Sequence, residues 1–315
     1  MPLTRTDYLS STWAEGIFKD KVLFCTGGAG TICSVQVRAF VALGGNAAII
    51  GRNAEKTTRM ASDIATARAN AKVLGLGNID VRNAEALATA AKKCAEELGG
   101  IDFVIAGAAG NFLAPMSQLS ANAFKSVMDI DVLGSYNTAK ATLPYLLESA
   151  KKSPNTSSAC GPEGTGGRII FISATFHYRG QPLQAHVSAA KSAVDQISNS
   201  VALEYGPLGV TSNVISPGPI ENTEGMERLS KTDPESVTAS KKSIPLGRWG
   251  SVREIADATV YLFSGAGSYV NGHVLVVDGG AWRTSGSNMG SWQYPDFLLE
   301  GGVIEGVKGG KKAKL

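Results

Sequence analysis

Cysteine and histidine are scarce in this chain, at four and three residues in 315. Cys25, Cys33, Cys94 and Cys160 make no C-x-x-C pair, and no histidine stands at zinc-ligand spacing from them. Neither a disulfide framework nor a zinc site is expected, and the thiols should be reduced, inside a cell. His177 and His273 have no neighbours that suggest a metal. Charge is thin as well: 18% of residues carry it, the net is +3 and the lysines are scattered. That argues against a nucleic-acid partner. No apolar run reaches the length of a membrane span. The N-terminus carries Asp7 and Glu15 without an apolar segment, so it does not read as a secretory signal. What is present, with 43% hydrophobic residues, is the composition of a soluble globular protein with an ample core.

Strand-like and helix-like patterns alternate from Lys21 to about Asp278. Short β-rich runs lie at 22–24, 47–50, 73–76, 103–106, 168–172, 211–215 and 274–277, with segments of helical composition such as 54–69, 84–98 and 188–205 between them. Runs apolar on both sides suit strands covered on both faces of a parallel sheet. The expected fold is α/β: a Rossmann-like, doubly wound parallel sheet of about seven strands with helices on both faces, in one domain. The stretch 151–167, rich in serine, glycine and proline, reads as a solvated insertion before the fifth strand.

Thr26-Gly27-Gly28-Ala29-Gly30-Thr31-Ile32-Cys33 follows the first strand and opens a helix. Glycines in that context let backbone approach a pyrophosphate, and a helix N-terminus attracts it. Gly27, Gly28, Ala29, Gly30, Thr31 and Ile32 are therefore candidate cofactor residues, although Thr31 and Cys33 stand where glycines are usual. An acidic residue at the end of the second strand would bind a ribose 2′-hydroxyl. This chain has Arg52 there, with Lys56 one turn on. A cation suits a 2′-phosphate, so NADPH is favoured over NADH. Asp80 and Val81, after the third strand, are placed for the adenine edge. Pro217, Gly218, Pro219, Ile220 and Thr223, after the sixth, are placed to close over the nicotinamide amide and a phosphate. The chain divides into an extension (1–20), an NADP-binding domain (21–281) and a tail (282–315).

Together these blocks resemble the short-chain dehydrogenase/reductase family over roughly residues 21–280. In that family a serine after the fifth strand and a tyrosine four residues before a lysine act on a carbonyl or alcohol. Here the lysine is Lys191, but Val187 holds the tyrosine position, Ala174 the serine position, and Asp131 stands in for an asparagine. These departures argue against ordinary carbonyl reduction. With Ala108-Ala109-Gly110-Asn111-Phe112, Asp129-x-Asp131, Ser173-Ala174-Thr175, His186 and Pro217-Gly218-Pro219-Ile220-x-x-Thr223-Glu224-Gly225, they look like peroxisomal 2,4-dienoyl-CoA reductases, the fungal type in particular. Ala313-Lys314-Leu315 adds a match to the small-basic-leucine peroxisomal address and implies the import receptor as partner.

The resemblance implies NADPH-dependent reduction of a 2,4-dienoyl-CoA to a 3-enoyl-CoA, with hydride delivered to C5 and a proton to C2. Such chemistry needs a donor to the developing enolate oxygen and an acid or oriented water, and no phenol. Asp131 is the candidate for the proton relay, on a helical face with Phe124, Val127 and Met128, opposite Asp129. Partial desolvation there is expected to raise its pKa. Lys191 would hold the nicotinamide ribose and tune Asp131, although Asp195, four residues on, is an alternative partner. Asn111 would position a water or the thioester oxygen. For the acyl-CoA the positions carried over are Arg82, Phe112, Ser120, Ala121, Asn122 and Arg228. His186 borders the pocket without acting. The family also implies a homo-oligomer, a tetramer, with the helices around 131–149 and 188–205 at an interface. Two other readings stay open: a reductase of 3-oxoacyl or hydroxyacyl substrates with Asp131 in place of the tyrosine, and an inactive NADP-binding regulatory protein.

Overall fold

The computed structural model describes residues 3–155, 166–175, 180–229 and 233–284. Apolar and β-branched runs bounded by turn residues form β1 (Val22–Thr26), β2 (Asn46–Ile50), β3 (Val73–Leu76), β4 (Phe103–Ala106), β5 (Arg168–Ile172), β6 (Thr211–Pro217) and β7 (Val274–Val277). All neighbours pair in parallel, in the order β3-β2-β1-β4-β5-β6-β7. Parallel neighbours need crossovers. Among the helices are α1 (Thr31–Ala42), α2 (Ala54–Ala65), α3 (Ala84–Leu98), α4 (Ala121–Val127), α5 (Gly134–Lys152), α6 (Ala185–Tyr205) and α7 (Val252–Phe263). The Rossmann-like sheet expected from the sequence is the one observed.

Side-chain alternation splits each central strand between two cores. Leu23 and Cys25 of β1, Ala47 and Ile49 of β2, and Phe103 and Ile105 of β4 face one of them. Phe24, Ala48, Ile50, Val104 and Ala106 face the other. In the first core Phe18, Phe40, Phe103 and Phe263 interlock, stacked or edge-on, with ring centroids 4.5 to 6.5 Å apart. Each buried ring contributes about 2–3 kcal/mol by removal from water. Cys25, Cys33 and Cys94 are buried free thiols, and burial pushes the Cys94 thiol up to about 12.

Two boundaries differ from the pattern reading. The helix expected over 54–69 stops at Ala65, because Arg68 turns back to donate to the Val41 and Gly45 carbonyls at 3.1 and 2.9 Å. Those acceptors lie at the end of α1, where a cation is favoured. Residues 128–133 form a turn of π-helix between α4 and α5, where an unbroken α-helix was expected. The first chain reversal leaves β1 beside β4, so the carboxyl ends of these strands flank a crevice of the kind that binds ligands in open α/β sheets.

Candidate active site

At the end of β1 the chain turns through Gly27 at φ +68°, and Gly30 N donates to the Gly27 carbonyl at 2.9 Å. A Cβ at Gly27 would lie 2.8 Å from the Gly107 carbonyl oxygen, so only glycine lets the turn rest against the loop after β4. Helix α1 begins beyond Gly30, and its first closing bond runs from Ser34 N to Gly30 O at 2.9 Å. The amides of Thr31, Ile32 and Cys33 thus head the helix outside its ladder, as donors for an anion. Cys33 fits in place of the usual glycine because Gly107 faces it; a Cβ on Gly107 would collide with the Cys33 sulfur. The turn therefore keeps its close approach because residue 107 carries no side chain.

Arg52 is exposed immediately beyond β2, and Asn53 caps α2 by accepting from Lys56 N at 2.8 Å. The Lys56 ammonium is paired with Glu224 at 3.1 Å, which ties this edge to the segment after β6. Asp80 is gripped by Arg82: the Arg82 backbone and Nε donate to Oδ1 at 2.9 Å, and a guanidinium nitrogen donates to Oδ2 at 2.6 Å. That grip holds the Asp80 carboxyl down to about 2, with Arg52 adding to the effect. Val81 is buried against Gly134, and Asn137 donates to its carbonyl at 3.0 Å. Beyond β6, Gly218 N donates to Val277 O at 3.0 Å, and the Thr223 hydroxyl donates to Ile220 O at 2.9 Å. A glycine turn under free helix amides, with a cation at the end of β2, fits a dinucleotide with an extra phosphate.

Asp131 and Lys191 meet on the opposite wall. Asp131 is 0% exposed; its Oδ2 lies 3.0 Å from Lys191 Nζ, and its Oδ1 accepts from Gly110 N at 2.7 Å. Lys191 also donates to the Ile172 carbonyl at 3.0 Å, at the end of β5. Lys191 pairs with Asp131 across helices, as the resemblance implied. One expectation is corrected: Asp131 is fully buried, not partly desolvated, and its contacts suit an acceptor. The π-turn is the cause: Gly134 N reaches back five residues to Asp129 O, shifting the phase of the helix. Asp129 does point away, and its carboxylate pairs with Lys125 at 2.5 Å.

Val187 is not an open vacancy. It is buried with Val127 and Ala190, against Phe112, Met128 and Val132. His186 beside it is wholly buried and stacks on Phe112, with centroids 4.1 Å apart. Burial lowers the His186 pKa below its ordinary value, opposed by the nearby Phe112 backbone and Asp131. Asn111 is exposed and accepts from the Gln184 amide at 2.9 Å, which leaves its own NH2 as a donor. Gln184, just before the lysine helix, was passed over in the sequence reading, and no motif marks it.

The substrate candidates are less gathered. Arg82 is engaged by Asp80 and stays half exposed. The Ser120 hydroxyl accepts from Ala123 N at 3.2 Å and caps α4, while Ala121 and Asn122 lie exposed on its first turn. The Arg228 side chain, His177, Cys160 and the 313–315 terminus lie outside the described residues.

The family described as enoyl-(acyl carrier protein) reductase matches residues 27–281. The chain belongs to the short-chain dehydrogenase/reductase family, which acts with a nicotinamide cofactor. A peroxisomal 2,4-dienoyl-CoA reductase of Saccharomyces cerevisiae is 51% identical over 92% of this chain and 93% of its own. One from Danio rerio is 39% identical over 88% of this chain and 86% of its own. A short-chain dehydrogenase of Bacillus anthracis superposes with a TM-score of 0.70 at 30% identity, covering 84% of this chain and 97% of the other.

Proposed function

We propose that this protein is a peroxisomal 2,4-dienoyl-CoA reductase that uses NADPH and forms a 3-enoyl-CoA. The observation that carries the reading is the buried Asp131–Lys191 pair beside a tyrosine position filled by Val187. Similarity to curated reductases over nine-tenths of the chain supports the same substrate class and compartment. The Ala313-Lys314-Leu315 terminus supports peroxisomal import through its receptor.

NADPH, when bound, supplies the hydride. Gly27, Gly28, Ala29 and Gly30 give the backbone approach; Thr31 and Ile32 give helix amides; Arg52, with Lys56 near it, takes the 2′-phosphate. Asp80 and Val81 border the adenine, and Pro217, Gly218, Pro219, Ile220 and Thr223 close over the nicotinamide end. As C5 of the dienoyl thioester is reduced, negative charge builds on the thioester oxygen and C2 must gain a proton. No alkoxide forms, so no phenol is required. The exposed NH2 of Asn111 serves as donor toward that oxygen or a water. Asp131 accepts from and orients the water that protonates C2, the hydroxide left behind taking a proton from solvent, and Lys191 holds the ribose and keeps Asp131 compensated. Phe112, Ser120, Ala121, Asn122, Arg82 and Arg228 are assigned to the acyl-CoA side.

NADPH oxidation with a 2,4-dienoyl-CoA, set against a 3-ketoacyl-CoA, tests the reading. We expect turnover with the dienoyl thioester and little with the ketone. The reverse order would replace it with 3-oxoacyl reduction, and binding of NADPH with no turnover would leave a regulatory protein. A homo-tetramer through 131–149 and 188–205 belongs to the same proposal, supported by Tyr136 and Leu203 at 46% and 78% exposure. Light scattering in solution checks it.

A further inference from the structure

The loop after β4 and the turn that opens the lysine helix are tied twice. Ala114 N donates to the Leu183 carbonyl at 2.9 Å, and the Gln184 amide nitrogen donates to Asn111 Oδ1, also at 2.9 Å. The first tie runs backbone to backbone and is enough to dock the two segments. The second joins a side chain only 4% exposed to one that stays exposed. Gln184 stands at the N-cap of α6, yet its side chain makes no capping bond to its own helix. It reaches to the other loop instead, and a long side chain loses rotamer freedom when it is buried. The backbone is strained for this turn as well: Leu183 lies at φ +67°, in the left-handed region that a leucine rarely adopts. The acceptor it serves is next to the reacting groups. Gly110, the neighbour of Asn111, gives its amide to Asp131 Oδ1 at 2.7 Å, and Asp131 pairs with Lys191. An asparagine amide has two unlike ends, a carbonyl acceptor and an NH2 donor, and its terminal torsion is broad and roughly two-fold. Left free, it would turn either end to the crevice, and a carbonyl oxygen there would oppose negative charge building on a thioester oxygen.

We infer that Gln184 is a positioning residue: by holding the Asn111 carbonyl it fixes which end of that amide faces the crevice, and so presents the NH2 to the reacting thioester. The inference rests on the dienoyl-CoA reading and on the donor role given to Asn111. Gln184 transfers no proton and acts only through Asn111. The strained turn at Leu183 and the backbone tie at Ala114 set the distance across which the two amides meet.

Two substitutions separate the donor from the bulk. Gln184→Met keeps the length and removes the donor; Gln184→Glu keeps the shape and, when ionised, offers acceptors alone. With NADPH and a 2,4-dienoyl-CoA, Q184M is expected to lower kcat about 10-fold and ionised Q184E about 100-fold, the scale of a misplaced or lost donor. KM and NADPH affinity should hold within about twofold. Once protonated, the introduced carboxyl regains an O–H donor, so the kcat of Q184E relative to wild type should rise as pH falls from about 9 to about 5. In that ratio the titrations shared with wild type, at Asp131, Lys191 and His186, drop out. In an Asn111→Ala background neither substitution should lower kcat by more than about twofold further. Side-chain amide 15N NMR gives a readout independent of activity: the Asn111 NH2 signals, assigned by their loss in N111A, should move in Q184M. The inference is overturned if Q184M keeps kcat within about twofold, if the Q184E ratio is flat with pH, or if the losses add to that of N111A, as a tie serving only the fold would give. Normal turnover in N111A, or Asn111 signals left in place by Q184M, would overturn it too. Should Q184M fail to fold, Q184E and its pH profile decide. A wild-type protein that reduces no dienoyl-CoA would instead sink the proposed function, and the spectra would still test the Gln184–Asn111 tie.

Discussion

The two walls of the crevice are built on opposite principles. On the β1–β3 side, binding capacity lies in backbone and in exposed cations: a glycine turn, helix amides, Arg52, and Asp80 gripped by Arg82. On the β4–β6 side it lies in buried charge, with Asp131 and Lys191 paired, and in His186 stacked on Phe112. The first wall can carry a larger residue and keep its geometry, as Cys33 does where Gly107 leaves room for its sulfur. The second cannot, because removing one member leaves another charge in a low dielectric without compensation. On the proposed assignment, recognition of the cofactor is therefore distributed and tolerant, whereas the chemistry is concentrated in a few interdependent groups.

That contrast is broken most directly at Asp131. Asp131→Ala is expected to lower kcat at least about 10³-fold while NADPH binding, followed by fluorescence, persists. Near-normal turnover would remove Asp131 from the mechanism. Lys191→Met is expected next: about 10²-fold in turnover, and a thermal midpoint lower by roughly 10 °C from stranding a buried carboxylate. Calorimetry checks the second figure, and an unchanged midpoint would show that the pair is not compensating.

Changes on the other wall should be milder and confined to the cofactor. Arg52→Glu is expected to raise KM for NADPH about 10- to 100-fold, with little change for NADH. Equal losses for both would place Arg52 away from the 2′-phosphate. The smallest effect belongs to Arg82→Ala, since a half-exposed ion pair contributes about 1 kcal/mol or less. Its signature is the pH dependence. Arg82 depresses the folded-state pKa of Asp80 to about 2 from 3.8, so the stability it confers is present above 3.8 and lost as pH falls toward 2. In R82A that part of the acid unfolding curve should flatten. A curve that matches wild type across this window would show that the grip is not energetically used.

Legibility in the sequence followed the range of the interactions. Strand runs such as 103–106 and the turn from Thr26 to Cys33 rest on local patterns, continuous short apolar runs and glycine placement, and the structure has them where they were read. The Asn53 and Asn83 caps fix helix starts in the same local way. The Asp131–Lys191 pairing was legible only through the resemblance. Lys191 has an equally well spaced neighbour in Asp195, and nothing in the spacing chooses between them. The Asp80–Arg82 grip was not read from the sequence for a related reason: its partners stand two residues apart, a separation that no helix or strand rule marks as a contact.

By itself, the sequence determined the parallel sheet, its glycine turn and the loss of the family's tyrosine, because each is written in residues adjacent along the chain. Tertiary structure decided how Asp131 is used. A π-turn shifted the helix phase, and packing against the loop after β4 and the end of β5 brought Gly110 and Lys191 to its two oxygens. Burial of a charge depends on what surrounds it from distant segments, and that information exists only once the chain has folded.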